Sequence, residues 1–327
     1  MNNGMLEDLP HLKSITDNST NQVGIVLPKK SLYHYTPSVS AVKNIVSNGE
    51  LWLSKSTFMN DKFEISYGLS VAKEVFDEYD TPLVKRIAEV LSKNISDDYF
   101  ILCFSGNSNS RFLWNYYSNK NGYALEFKPE FISDFINSER RKLLIFEGAQ
   151  YHETLGGRKI ALKEQCNLPA DIPGYAYEYK ANYVLYDKAE QTGIIRELVE
   201  YMIKHEHEIS LFTQAGWLLS SVILFFKDPF FKDEEEYRLI IKTESSNTHS
   251  PIKSNNYLRR IVNYREKNNC LIPYLTLTMD NPCEYIESIG IGYGNREPYA
   301  KFSLEDFVSV YSKDIRVYEV QAPLQMY

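Results

Sequence analysis

Apolar residues recur along this chain with two periods, and each period predicts a different element. Residues 32–35 read as a strand, and Val39, Val42, Ile45 and Val46 then repeat at helical spacing up to Gly49. Thr36 is expected as the N-cap of that helix, Pro37 as its first residue and Gly49 as its C-cap. Residues 51–53 predict a short strand. After the Asn60-Asp61 turn, Ile65, Leu69, Ala72 and Phe76 mark an amphipathic helix, and another is expected over 83–91 behind Pro82. Residues 99–104 and 123–127 are strand-like, with a helical turn or two between them over 111–117, and 143–151 add a further strand.

Breakers then interrupt the pattern. Gly156, Gly157, Pro169, Pro173 and Gly174 predict a long connection or an insertion. Beyond them Ile194, Leu198, Tyr201, His205, Ile209 and Phe212 recur every three or four residues, which predicts one long helix, with a second over 214–226. Strand-like segments return at 237–242, 272–277, 285–291 and 315–320. Residues 1–30 are polar and irregular and are expected to dock loosely. The organisation expected is a leader over 1–30 and a single α+β domain over 31–327, built on a central mixed or antiparallel sheet with a helical insertion or cap around 156–232.

Composition narrows the function classes. A 43% hydrophobic and 14% aromatic chain of 327 residues has ample material for a core, so a disordered chain is excluded. The net charge of −7 argues against broad, non-specific DNA binding, although Arg140-Arg141-Lys142 offers a local basic patch. Cys103, Cys166, Cys270 and Cys283 show no CxxC spacing and are expected as reduced thiols. Glu7 and Asp8 stand where a secretory signal would be basic, and the longest apolar run, 217–226, is broken by Ser220 and Ser221 and falls short of the ~20 residues of a spanning helix. A cytoplasmic protein without a membrane partner is expected.

Four short polar motifs carry what chemistry the chain displays. In Tyr33-His34-Tyr35-Thr36 a strand delivers His34 to a helix N-terminus, where free N–H groups favour a phosphate or carboxylate, so a nucleotide substrate is one reading. A capping Thr36 with His34 and Tyr35 packed on the sheet is the other. In Asn60-Asp61-Lys62-Phe63-Glu64 the two acids stand three apart, the spacing of a capping box and, less favourably, of a metal site. Cys103-Phe104-Ser105 precedes Trp114 and Tyr117, which suit either ring stacking on a ligand or a structural core, with Ser105 as a hydrogen-bond donor. In Glu236-Tyr237-Arg238 a strand puts Glu236 and Arg238 on one face, as a site or as an ion pair. Neither HExxH nor GxxxxGK[ST] occurs, and no metal ligand set is expected.

Taken in order, Leu32-Tyr33-His34-Tyr35-Thr36, Leu51-Trp52-Leu53-Ser54, Asn60-Asp61-Lys62-Phe63-Glu64, Cys103-Phe104-Ser105, Trp114 to Gly122 and Glu236-Tyr237-Arg238-Leu239 resemble the bacterial domain of unknown function 2971 family. Tyr264-Arg265, Ile272-Pro273-Tyr274 and Ile286 to Gly292 extend the resemblance, with departures at Lys62 and at Gly292-Tyr293. More distantly, the motif order resembles ADP-ribosyltransferase folds, where an early strand carries His or Arg and a late strand carries Glu. That resemblance implies NAD as substrate, an unidentified macromolecular acceptor, and a toxin or antiphage defence effector. Glu236 would be the catalytic carboxylate, His34 and Thr36 would hold the NAD ribose and amide, and Tyr67 or Tyr117 would stack on nicotinamide. Tyr35, Asn60, Ser105 and Arg238 complete the implied binding set. Two other classes stay open: a Mg²⁺-dependent nuclease or phosphodiesterase using Asp61, Glu64 and Glu236, and a non-enzymatic nucleotide- or protein-binding module presenting residues 194–226.

Overall fold

The structure is a computed structural model that describes residues 9–14, 25–59, 64–94, 99–136, 178–242, 262–267 and 269–321. Among the described residues ten strands join one mixed sheet: β1 (Leu32–Thr36), β2 (Glu50–Lys55), β3 (Tyr99–Ser105), β4 (Tyr123–Phe127), β5 (Glu178–Tyr183), β6 (Glu236–Lys242), β7 (Asn263–Lys267), β8 (Cys270–Thr278), β9 (Ile286–Ile291) and β10 (Arg316–Glu319). The pair β9–β10 is parallel and the other pairs are antiparallel.

The connectivity turns on β3. One of its edges pairs with β6 along its whole length, from Tyr99 opposite Lys242 to Ser105 opposite Glu236, and β6 in turn pairs with β5. Its other edge is shared. β2 meets it at Phe100 and Ile101, while β1 touches it only at Tyr33 opposite Ser105. From β1 the sheet continues through β4, β9 and β10; from β2 it continues through β8 and β7. The sheet therefore forks, with β3 at the junction.

Near-continuous apolar sequence in β3 and β6 follows from burial on both faces. Phe100, Leu102 and Phe104 alternate with Tyr99 and Ile101. The first set joins Tyr237, Leu239 and Ile241 in the main core, together with Val42, Ile45 and Val46. The second joins Ile240 against Leu224 and Phe225, in a 3₁₀ turn over Ile223–Phe225.

Helices α1 (Pro10–Ser14), α2 (Val39–Asn48), α3 (Glu64–Phe76), α4 (Pro82–Asn94), α5 (Arg111–Tyr116), α6 (Lys188–Lys204), α7 (Ile209–Val222) and α8 (Ala300–Ser309) complete the described elements named below. The cap of α2 differs from expectation. Ser38 is its N-cap, with extended backbone and an Oγ that accepts from Ala41 N, whereas Thr36 stays in the ladder opposite Tyr123. A residue still held in a strand cannot also start a helix, and Ser caps as well as Thr. Gly49 does close the helix, at φ +68°, with its N–H shared between the Asn44 and Ile45 carbonyls.

The apolar stripe expected as one long helix is two. Ile209 is 81% exposed, so the periodicity breaks after Met202, and α6 and α7 fold back to bury their stripes with α3 and α4 in a second core. That region is not purely helical, because β5 leaves it to pair with β6. The leader is not loose where it is described: Leu9 and Leu12 are fully buried, the His11 backbone N–H donates to Glu197, and Ile25 bridges Ala181. Leu9, just before α1, and Leu12 within it both join the second core. The expected strand over 143–151, the breaker-rich stretch 156–174 and Arg140-Arg141-Lys142 lie outside the described residues. No helix among the described residues is long and apolar enough to cross a membrane.

Candidate active-site cleft

Where β1 and β2 part from β3, the fork opens a cleft of about 540 Å³. Pockets of 300–1,000 Å³ hold small molecules, so the space suits a small-molecule ligand. His34, Tyr35 and Thr36 come from β1, Trp52 and Ser54 from β2, Ser105 from β3, and Arg265 and Lys267 from β7, with Tyr117 just past α5, Glu234 at the end of the 3₁₀ turn Pro229–Glu234 and Glu236 at the start of β6.

The fork itself positions His34. Its Nδ1 lies 3.1 Å from the Cys103 carbonyl. A carbonyl only accepts, so Nδ1 carries the hydrogen and Nε2 is left as an acceptor. The ring also packs edge-on against Phe104 at 5.8 Å. Burial pushes the imidazole pKa down, the Cys103 bond partly opposes it, and the Arg265 guanidinium pushes it down further. The cleft thus presents a neutral imidazole at neutral pH.

Glu236 is held by a chain of alternating charge. Arg238 donates to its carboxylate through Nε at 2.8 Å and Nη2 at 3.0 Å, while Lys227 Nζ reaches Glu236 at 2.9 Å and Glu234 at 2.5 Å. Two cations thus balance two carboxylates, and all four side chains are buried. Arg238 also donates to the Leu224 carbonyl, and Glu236 N–H donates to Tyr186 Oη at 3.0 Å. Burial alone would raise the Glu236 pKa. Arg238, Lys227 and the hydrogen-bonding Cys103 thiol outweigh it and hold the carboxyl well below the usual carboxylate range. A carboxylate that stays ionised therefore faces the cleft.

The structure sorts the remaining expected residues. Tyr35 lines the cleft, donates from its hydroxyl to the Asn107 carbonyl at 2.8 Å and packs edge-on to Trp114 at 5.1 Å. Thr36 is buried at the mouth, its Oγ1 accepting from Ser38 N. Ser105 donates to the Glu234 carbonyl at 2.6 Å and so fixes the loop that delivers Glu236. Tyr117 lines the cleft, while Trp114 is 1% exposed and is a core anchor. Tyr67 is set apart in the second core, bonded to Gln191 at 2.9 Å, because the face of α3 that bears it packs on α6. Arg238 does not line the cleft; it acts through Glu236 as a positioning residue. Asn60 and Asp61 lie outside the described residues, as does the side chain of Glu64.

Lys227, Glu234, Trp52, Arg265 and Lys267 escaped the sequence reading as site residues. Lys227 follows an apolar run, and only the return of the chain through the 3₁₀ turn Pro229–Glu234 brings it under Glu236. Among the described residues no group of three His, Cys, Asp or Glu side chains is arranged to hold a metal ion. Glu236 spends both carboxylate oxygens on cationic donors.

Fold and cleft together define an α+β protein on a forked mixed sheet, with a buried ion-pair network beneath an open pocket. Residues 113–239 match the model of a family described as protein of unknown function (DUF2971), the family its motif order resembles. The match begins within α5 and takes in β4, Lys227 and the start of β6 with Glu236 and Arg238, and it does not reach the strand that carries His34. No curated protein and no solved structure matches the chain.

Proposed function

We propose that this chain is an ADP-ribosyltransferase-like enzyme that takes NAD into the cleft at the fork of the sheet. The observation that carries the reading is the meeting of His34 and Glu236 on one cleft, joined through Cys103, whose carbonyl holds the imidazole and whose thiol holds the carboxylate. Cleavage of the nicotinamide–ribose bond leaves the electron pair on nicotinamide and positive charge on the ribose, and a fixed carboxylate stabilises that charge. The acceptor nucleophile then bonds to the same carbon and gives up its proton. Glu236 supplies the carboxylate, preorganised by Arg238 and Lys227. His34 offers Nε2 to a ribose hydroxyl, and Tyr117 offers a ring face.

Incubation of the full chain with nicotinamide-labelled NAD tests this. Wild type is expected to release nicotinamide, and Glu236→Gln to lose the release by about 10²-fold or more, the usual scale for removing a preorganised electrostatic group. Intact NAD in wild type, with lysate proteins and nucleic acid supplied as acceptors, sinks the proposal. One observation favours a second reading, a nucleotide-binding module without turnover: Glu236 is 5% exposed with both oxygens already engaged. A thermal shift with NAD that Glu236→Gln preserves, without nicotinamide release, would select it.

A further inference from the structure

On the β7 wall of the cleft stands a cation that no carboxylate among the described residues pairs with. Arg265 projects from β7, with Lys267 on the same strand face two residues on. Its guanidinium carbon lies 5.7 Å over the Trp52 ring, and Nη2 donates to Ser54 Oγ at 2.7 Å. Trp52 is itself backed by Tyr274 at 4.6 Å. The Arg265 Nε is buried and has no hydrogen-bond partner. Glu50, Glu234, Glu236 and Glu266 all line the cleft, yet none forms an ion pair with Arg265. Lys227 and Arg238, by contrast, are matched by carboxylates.

A partly buried guanidinium with no carboxylate partner among the described residues is costly, and its planar fork of donors fits the paired oxygens of a phosphate. We infer that Arg265 is an anion-binding residue that takes a phosphoryl group of the cleft's ligand, with Lys267 beside it and Trp52 as the platform that fixes the fork. The inference deepens the nucleotide reading of the same cleft and rests on it. It assigns the ligand's phosphates to the β7 arm, across the fork from His34. Burial lowers the Arg265 pKa, and burial together with Arg265 lowers that of Lys267, as two cations sharing a partly desolvated wall require.

Calorimetric titration of the full chain with ADP and with adenosine tests the assignment. Wild type is expected to bind ADP at least tenfold more tightly than adenosine. Arg265→Gln is expected to lose tenfold or more on ADP and little on adenosine, and Arg265→Lys to fall between, keeping the charge without the fork. Equal affinities of wild type for ADP and adenosine, or wild-type ADP affinity in Arg265→Gln, overturn the inference. Should Arg265→Gln not fold, the comparison of ADP with adenosine in wild type decides by itself. The two proposals fail separately. ADP binding through Arg265 without nicotinamide release removes the transferase and keeps the subsite, whereas NAD turnover with an unchanged KM in Arg265→Gln removes the subsite and keeps the transferase.

Discussion

Lys227→Met is the sharpest probe of the network beneath the cleft. Lys227 is 3% exposed and is the cation shared by Glu234 and Glu236. Met keeps most of the stem volume, so the change removes the charge and little packing. Glu236 retains Arg238, but Glu234 loses its ion pair to Lys227 while remaining buried. Removing one partner of a buried pair costs about 3–5 kcal/mol, because a buried carboxylate loses the cation beside it. Taking an unfolding entropy of about 2.1 cal/mol/K per residue over 327 residues, the melting temperature should fall by about 4–7 °C. The pH dependence is the more specific readout. In the variant two facing carboxylates favour sharing a proton, which raises one folded-state pKa above its unfolded value of about 4.3. A raised carboxyl pKa contributes stability below the unfolded pKa and loses it as pH rises through the folded one. The gap between wild type and variant should therefore be wide at pH 7.5 and narrow at pH 4.5, as measured by urea denaturation at each pH. A loss under about 1 kcal/mol at pH 7.5, or a gap indifferent to pH, would refute the reasoning.

Two further predictions bear on the fork. Gly49→Ala should cost about 2–4 kcal/mol in urea denaturation, combining a left-handed backbone with overpacking. Its φ is +68°, and a Cβ would sit 2.3 Å from the Met279 carbonyl oxygen, at a point where Met279 N–H also bonds Gly49 O; a near-neutral result would show that the α2–β2 turn can shift. His34→Gln addresses the depressed imidazole. The folded state holds that proton less tightly than the unfolded state, whose pKa is about 6.5, so the unfolded state binds more protons as pH falls below that value. His34 thus favours the fold above pH ~6.5 and loses that contribution in acid. The stability advantage of wild type over His34→Gln should shrink between pH 7.5 and pH 5, and an advantage that grows on acidification would contradict a buried neutral imidazole.

What the sequence made legible is what obeys a single local period. The strands at 99–105, 123–127 and 236–242 announce themselves by short apolar runs rich in β-forming residues, and α3 and α4 by their stripes. Strand β7 gives no such signal, because Asn263, Tyr264, Glu266 and Lys267 are exposed and only pairing with β8 holds the segment extended. The wall that carries Arg265 was hidden for that reason. The break between α6 and α7 was missed because His205 and Ile209 keep helical spacing while Ile209 points to solvent. Glu236 and Arg238 were correctly placed on one face, since an i,i+2 relation in a strand guarantees it. Their partner Lys227 was not visible, because a contact between strand and loop has no period.

The fork explains why a cleft with His34 and Glu236 on its walls opens at this point of the sheet. A strand flanked along both edges has its backbone groups satisfied by its neighbours, and a side chain has nowhere to reach them. On β3 the second edge is divided between β1 and β2, which pair with its two ends and leave the middle open. The Cys103 carbonyl falls in that gap, and His34 Nδ1 takes the place of a ladder donor. The opening that makes the cleft is thus also what orients the imidazole, and the neighbouring strand β6, fully paired to β3, sets Glu236 opposite Ser105 at the end of the same strand. Imidazole and carboxylate are both referenced to β3, so a change in fork angle moves β1 with His34 while leaving Glu236 fixed by Arg238 and Lys227. Substitutions that repack the fork, such as at Phe104, which touches both His34 and Phe127, should therefore act on ligand affinity through the imidazole and leave the Glu236 carboxylate ionised.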